Sequence, residues 1–287
     1  MKYRKESPMK ILVAGSNGML GTDAVKVLKS RGHEVIPADL PEYDITDRIG
    51  IQQFIRNLKP DAVMLLAAYT AVDKAETERA QCFAVNTLGA RNVACVCKAC
   101  GIKLLYTSTD YVFPGEGDTP YETDSPVSPV NYYGKTKADG EEKVREYCPG
   151  SFTVRISWTY GSGGNNFVKK ILAAAKDKEA LSVVDDQIGS PTYTLDLARL
   201  LADMIESEKY GVYHASNEGF CSRAEFAREI ISAAGLNTKI IPVKSDEFLT
   251  PAARPKNSRL SKRSLTDGGF ELLPDWRDAL RRYMNEN

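Results

Sequence analysis

Tyr133 and Lys137 stand four residues apart in the run Tyr133-Gly134-Lys135-Thr136-Lys137, and Ser108-Thr109-Asp110-Tyr111 lies about two dozen residues upstream. On a helix, positions four apart project from one face, so this phenol and this ammonium would point the same way. A free tyrosine has a pKa near ~10, and a neighbouring ammonium favours the phenolate and lowers that value. A tyrosine tuned in this way can give a proton to a carbonyl oxygen as hydride arrives on its carbon. Alone the pair is a weak signal, because Tyr-x-x-x-Lys also occurs on ordinary solvated helix faces. Its meaning depends on the elements that position it.

Those elements begin with a short apolar run at residues 10–14, which ends in Gly15-Ser16-Asn17-Gly18-Met19-Leu20-Gly21 and continues as a helical pattern through Ala24, Val25, Val27 and Leu28. Strand, glycine turn and helix in that order suit a dinucleotide. The glycines let backbone approach phosphate, and the helix N-terminus offers N–H groups and partial positive charge. The spacing is Gly-x-x-Gly-x-x-Gly, a variant of the usual fingerprint. A second strand, 34–38, ends at Asp39, placed to accept hydrogen bonds from a ribose 2′-hydroxyl and to repel a 2′-phosphate. Residues 47–58 read as a helix capped by Asp47. A buried strand is expected over 61–68, then a helix over 76–99. Asn86 interrupts that helix as a poor helix former, with either a local polar role or simple exposure. A fourth strand, 102–107, delivers Ser108, Thr109 and Asp110 at its carboxyl end, the edge where doubly wound sheets bind ligands. The proline-rich loop 120–129 then leads into the helix of Tyr133 and Lys137, and a fifth strand follows at 152–156. The alternation predicts an α/β fold, a doubly wound parallel (Rossmann) sheet covered on both faces.

A chain of 287 residues has room for one large domain or two unequal ones. Lys plus Arg and Asp plus Glu both number 38, so no net field favours nucleic acid or an acidic membrane surface, and a small-molecule partner fits better. Residues 1–8 are polar and basic without the apolar centre of a signal peptide, and Met9, directly before the first apolar run, reads as the natural start. No apolar run approaches the ~18 residues that span a bilayer. The six cysteines form no disulfide-rich framework, which points to a reducing cytoplasm. Cys95, Cys97 and Cys100 would scatter over a helix with no fourth ligand nearby, so they read as buried small residues and not as a metal site. His33 and His214 share no motif and read as core or surface residues.

After the fifth strand the chain becomes loop-rich, where function tends to sit. Arg155-Ile156-Ser157-Trp158-Thr159-Tyr160-Gly161 puts a Trp just past a strand end, as core or as pocket wall. Asn166-Phe167-Val168 opens a further helix. Asp185-Asp186-Gln187-Ile188-Gly189-Ser190-Pro191-Thr192 and Arg254-Pro255-Lys256-Asn257-Ser258 follow, and an Arg such as Arg254 can hold a diphosphate with paired, charge-assisted bonds.

Taken together, the glycine turn, Ala67-Ala68-Tyr69-Thr70-Ala71-Val72-Asp73-Lys74-Ala75-Glu76, Ser108-Thr109-Asp110-Tyr111-Val112-Phe113 and Tyr133-Gly134-Lys135-Thr136-Lys137 resemble the extended short-chain dehydrogenase/reductases. More narrowly, they resemble the dTDP-4-dehydrorhamnose reductase family. The Asp-Gln-x-Gly-x-Pro-Thr stretch at 186–192 and the Arg-Pro-x-Asn-Ser stretch at 254–258 match that family's pattern, and the likeness runs from about Met9 to the C-terminus. It implies reduction of the C4 keto group of dTDP-4-dehydro-L-rhamnose by NADH or NADPH. The implied catalytic set is Thr109, Tyr133 and Lys137. The implied cofactor contacts are Gly15, Asn17, Gly18, Met19 and Leu20 in the turn, Asp39, Asp44 and Ile45 after the second strand, and Ala67, Ala68 and Tyr69 after the third, besides Tyr133 and Lys137. Thr109, Asp110, Trp158, Asn166, Gln187 and Arg254 are implied to hold the nucleotide sugar. The expected organisation is an extension at 1–8, a Rossmann domain at 9–157 and, at 158–287, a smaller, mainly substrate-binding C-terminal lobe with segments returning to the sheet. The family likeness leaves open a homodimer and Mg2+ at a subunit contact. A related nucleotide-sugar 4-reductase or epimerase is the nearest alternative enzyme. A non-catalytic regulatory subunit like that of methionine adenosyltransferase is an alternative of another kind.

Overall fold

The computed structural model describes residues 7–286, so the first six residues of the expected 1–8 extension lie outside the described residues. Five strands, β1 (Lys10–Ala14), β2 (Glu34–Ala38), β3 (Ala62–Leu65), β4 (Lys103–Thr109) and β5 (Phe152–Ile156), form one parallel sheet with a later strand, Gly211–Ala215. Its order is Gly211–Ala215, β5, β4, β3, β1, β2. The helices that matter here are α1 (Met19–Ser30), α2 (Arg48–Leu58), α3 (Val72–Ala75), α4 (Arg79–Phe83), α5 (Ala90–Cys100), α6 (Tyr132–Tyr147), α7 (Phe167–Ala175), α8 (Thr194–Ile205) and α9 (Arg223–Ala233).

Successive strand residues face opposite ways, and the sheet therefore builds two cores. Ile11, Val13 and Met64 pack with α1 and α8, whereas Leu12, Ala14, Val63 and Leu65 pack with α2 and α5. This is the doubly wound sheet expected. From β1 the chain steps to β2 on one side and then to β3 on the other, which opens a crevice beyond the carboxyl ends of β1 and β3.

Local chemistry explains several element ends. Asp47 accepts from the Ile49 and Gly50 amides at 3.1 Å and caps α2. Asn131 caps α6, its Oδ1 accepting from the Gly134 amide at 2.8 Å. The expected strand 61–68 stops at Leu65, because the chain from Leu66 runs past the glycine turn: the Leu66 amide donates to Ala14 O, and Ala67 presses on Gly15. The expected helix 76–99 is broken into α4, a π-helical turn at Ala84–Gly89 and α5, with α3 preceding it. Asn86 lies in the π turn and is buried, and its polar side chain is fully used, as described below. Cys97 is buried and Cys95 half-buried. Cys100, however, is exposed, because it ends α5 immediately before left-handed Gly101.

The second half returns to the sheet more than once. α8 packs on α1, where Thr194 Oγ1 donates to Asp23 Oδ2 at 2.6 Å. Around it, small ribbons pair Ala180–Val184 with Lys239–Val243, Ile188–Gly189 with Cys221–Ser222, and Thr159–Tyr160 with Thr192–Tyr193. Among the described residues no helix is long and apolar enough to cross a membrane.

Candidate active site

A cleft of about 610 Å³ occupies the crevice, within the ~300–1,000 Å³ usual for small-molecule sites. Its floor is the glycine turn. Gly15 holds φ +85°, and a Cβ there would lie 2.6 Å from the Ala67 amide nitrogen; at Gly21 it would lie 2.0 Å from Gly15 O. The turn can therefore fold this tightly only with glycine. No side chain caps α1, whose N-cap is Gly18, so the positive end of the helix faces the cleft. A pyrophosphate fits such a place.

Beyond the turn, Asp39 accepts from the Asn17 amide through Oδ2 and from the Leu40 amide through Oδ1, both at 2.9 Å. Asp39, Asp44 and Ile45 line the cleft, as do Gly15, Gly18, Met19 and Leu20. Asn17 does not: it is exposed, with its amide turned to Asp39. The segment Ala67, Ala68 and Tyr69 forms the opposite wall. Asn86 fixes it, accepting from the Tyr69 amide at 2.8 Å and donating to Tyr69 O at 3.1 Å and Thr136 Oγ1 at 3.0 Å. One buried amide thus joins the dinucleotide wall to the helix of the Tyr-Lys pair, and the π turn is the local distortion at which it sits.

Thr109, Tyr133 and Lys137 all reach the same cleft. The glycine between the last two has a physical reason. A Cβ at Gly134 would stand 2.2 Å from Tyr111 O, so only glycine lets α6 approach the end of β4. Lys137 Nζ donates to Thr107 O at 2.7 Å and lies 4.2 Å from the Tyr106 ring centroid. Burial pulls the Lys137 ammonium down to about 7 against the opposing pull of Glu141.

The phenol departs from expectation. Burial pushes Tyr133 well above the ordinary tyrosine value, with a hydrogen bond to Thr109 as the main opposing influence. A lowered phenol pKa is therefore corrected: desolvation of the anion dominates, and Asp110 adds to it. The consequence for chemistry is simple. Tyr133 stays protonated at neutral pH and is available as an acid.

Next to it, Thr109 Oγ1 donates to Asp110 Oδ1 at 3.1 Å. Burial raises the Asp110 carboxyl to about 6. Trp158 also faces the cleft, in a left-handed conformation with φ +46° that is uncommon for a bulky residue and gathers at functional sites. The other expected substrate contacts do not line it. Asn166 caps α7, accepting from the Lys169 amide at 3.0 Å and donating to Gly161 O at 2.8 Å. Gln187 donates to Ser245 Oγ at 3.1 Å. Arg254 is tied to Asp73 at 2.8 Å and to Ala252 O at 2.8 Å. Sequence reasoning missed Arg223, whose guanidinium carbon lies 3.5 Å from the Trp158 ring centroid. No motif marks it, and the stacking joins residues distant in the chain.

A parallel sheet with its crevice at the switch point, a glycine-only turn and a Thr-Tyr-Lys group at the far end define an extended short-chain dehydrogenase/reductase. The chain belongs to the family described as RmlD substrate binding domain, whose model matches residues 9–287. It is 41% identical to the spore coat polysaccharide biosynthesis protein SpsK of Bacillus subtilis (strain 168), covering 96% of this chain and 97% of the relative. A dTDP-4-dehydrorhamnose reductase of Streptomyces griseus is 40% identical, over 94% and 91% of the two chains. The crystal structure of dTDP-4-dehydrorhamnose reductase from Bacillus anthracis str. Ames in complex with NADP superposes with a TM-score of 0.95 at 41% identity, covering 98% of this chain and all 100% of the other.

Proposed function

We propose that this protein reduces the C4 keto group of dTDP-4-dehydro-L-rhamnose to give dTDP-L-rhamnose, using NADH or NADPH. The observation that carries this reading is the meeting of Thr109, Tyr133 and Lys137 in one cleft with the glycine turn, in a chain related over nearly its whole length to named reductases of that sugar nucleotide. A bound reduced dinucleotide supplies the hydride.

The chain's own groups supply the rest. Tyr133 gives its hydroxyl proton to the carbonyl oxygen as that oxygen becomes an alcohol. Thr109, whose single hydroxyl proton lies on Asp110 Oδ1 in the free protein, turns it to the same oxygen and aligns it. In its ammonium form, Lys137, held by Thr107 O, places positive charge near the phenolate that proton transfer leaves, and this charge counts most where water is excluded. Trp158 and Asp110 shape the sugar pocket, while Asp39 and the turn hold the dinucleotide. Reduced dinucleotides and sugar nucleotides are cytoplasmic, so a cytoplasmic enzyme belongs to the same reading.

The test is a survey of 4-keto sugar nucleotides, following dinucleotide absorbance. dTDP-4-dehydro-L-rhamnose should drive the fastest oxidation. A protein that binds the dinucleotide yet oxidises it no faster with any keto sugar would reject the reading.

A further inference from the structure

Two cations, Lys137 and Arg223, stand on the cleft wall. Lys137 spends a donor on Thr107 O. Arg223 differs: its backbone amide donates to Gln187 O, but among the described residues its guanidinium has no hydrogen bond and no ion pair. What holds it is stacking. The guanidinium carbon lies 3.5 Å from the Trp158 ring centroid and 5.3 Å from that of Phe167, so aromatic rings hold the planar group while its N–H donors remain unused by the protein.

The platform beneath is equally built. Trp158 takes the left-handed backbone already noted, its carbonyl accepts from the Thr192 amide at 3.1 Å, and a Cβ at Gly189 would strike the indole at 2.6 Å. Each feature fixes the indole and thereby the guanidinium. The half-buried guanidinium has its charge favoured by Asp110, yet no group of the protein accepts a hydrogen bond from it among the described residues, so an anionic ligand can complete it. The other arginine expected near the substrate, Arg254, is already engaged by Asp73 and Ala252 O, and Lys256 pairs with Asp186 at 3.1 Å.

We infer that Arg223, pre-set by Trp158, is the residue that receives the diphosphate of the nucleotide sugar, an inference that rests on the nucleotide-sugar reading above. The stacked fork suits two oxygens of one phosphate. A sugar hydroxyl, being neutral, would add nothing to balance the guanidinium charge. Trp158 thereby has two duties, forming the pocket wall and holding the anion-binding group in place.

The experiment is calorimetric titration of the full chain, loaded with NADP+, with dTDP and with thymidine, in wild type, Arg223→Met, Arg223→Lys and Arg254→Met. Arg223→Met should weaken dTDP about thirtyfold, the loss expected for a charge-assisted paired contact. Thymidine and NADP+ should bind it as they bind wild type. Arg223→Lys should recover only part of the loss, since it restores charge without the planar fork. Arg254→Met should change dTDP affinity much less. If wild type binds dTDP and Arg223→Met binds it equally well, the inference is overturned while the enzymatic reading stands; the same holds if Arg254→Met carries the loss instead. If wild type shows no affinity for dTDP, both are overturned.

Discussion

Lys137 donates from Nζ to the backbone oxygen of Thr107 at 2.7 Å, tying α6 to β4 one turn beyond the phenol of Tyr133. The bond leaves a cation in a desolvated place, with the carboxylate of Glu141 and the thiol of Cys82 as the groups that favour its charge. Burial prevails and draws the ammonium from 10.5 to about 7. Over that interval the unfolded chain binds a proton that the folded one does not, so stability rises with pH from about 7 to about 10.5, and below it the full penalty of burying the charged form applies. Urea midpoints of the cofactor-free protein at pH 6.5 and pH 9 should therefore shift in favour of wild type relative to Lys137→Met at the higher pH. An unchanged difference between the two proteins would refute the assignment.

Tyr133→Phe keeps the ring and its edge contact with Tyr111, whose centroid lies 5.8 Å away. It removes the only proton assigned to the carbonyl oxygen. Single-turnover oxidation of bound NADH by the keto sugar should slow by ~10²–10⁴-fold with cofactor affinity retained. A rate within about threefold of wild type, far inside that range, would mean that another group is the acid.

Gly21→Ala places a methyl group where Gly15 O and the Ser16 Cα already are, at 2.0 and 2.7 Å. Both obstacles are backbone and cannot swing aside. The turn must open, so dinucleotide affinity should fall by at least about tenfold, and stability by ~1–3 kcal/mol, as overpacked sites do. Dinucleotide titration and thermal unfolding read the two effects separately. Gly32→Ala is a control for backbone strain alone, since a Cβ there meets no atom within 4 Å.

The strands β1, β2 and β5 were legible to the residue as short apolar runs, the first two stopped by Gly15 and Asp39. The Asp47 cap and the Tyr-Lys face were legible for the same local reason. Where distant chain decides, sequence pattern was silent. Strand β3 ends at Leu65 because the chain there passes Gly15 so closely that only a residue without a Cβ fits against Ala67, and the helix around Asn86 breaks because one side chain serves both Tyr69 and Thr136. The direction of the Tyr133 shift was missed for a related reason: a helix wheel shows a lysine one turn away but not the depth at which the pair is buried. Asn166, Gln187 and Arg254 matched motif positions, and in the free protein their side chains bond to neighbours outside the cleft lining.

Below the active site, Arg155 and Glu141 form a two-pronged buried pair at 2.9 and 2.7 Å. It joins β5 to α6, so it also fixes the helix that carries Tyr133. Glu141→Gln should leave the Arg155 charge buried beside the neutral His214 ring and cost ~3–5 kcal/mol. Replacing both partners, Glu141→Leu with Arg155→Met, should cost less than the single change, because no orphaned charge remains. Urea unfolding of the three variants decides it; a double variant less stable than Glu141→Gln would show that the pair is stabilising beyond its mutual satisfaction.

Asp39 is the group that should govern cofactor choice. A carboxylate at the end of β2 accepts hydrogen bonds from a ribose 2′-hydroxyl and adds like charge to a 2′-phosphate, so NADH is expected to bind at least as well as NADPH. The same carboxylate secures the turn through the Asn17 and Leu40 amides. Asp39→Ala therefore has two effects: a loosened turn, which weakens both cofactors alike, and a lost charge, which weakens NADH alone. Only the ratio of affinities isolates the second. It should move towards NADPH by about tenfold, the size of one charge-assisted bond. Asp39→Asn keeps an acceptor for the turn amides and removes the charge, so it should shift the ratio in the same direction with less damage to either affinity. A wild-type protein that strongly prefers NADPH, with a ratio unmoved by Asp39→Asn, would show that the 2′-phosphate lies away from this carboxylate.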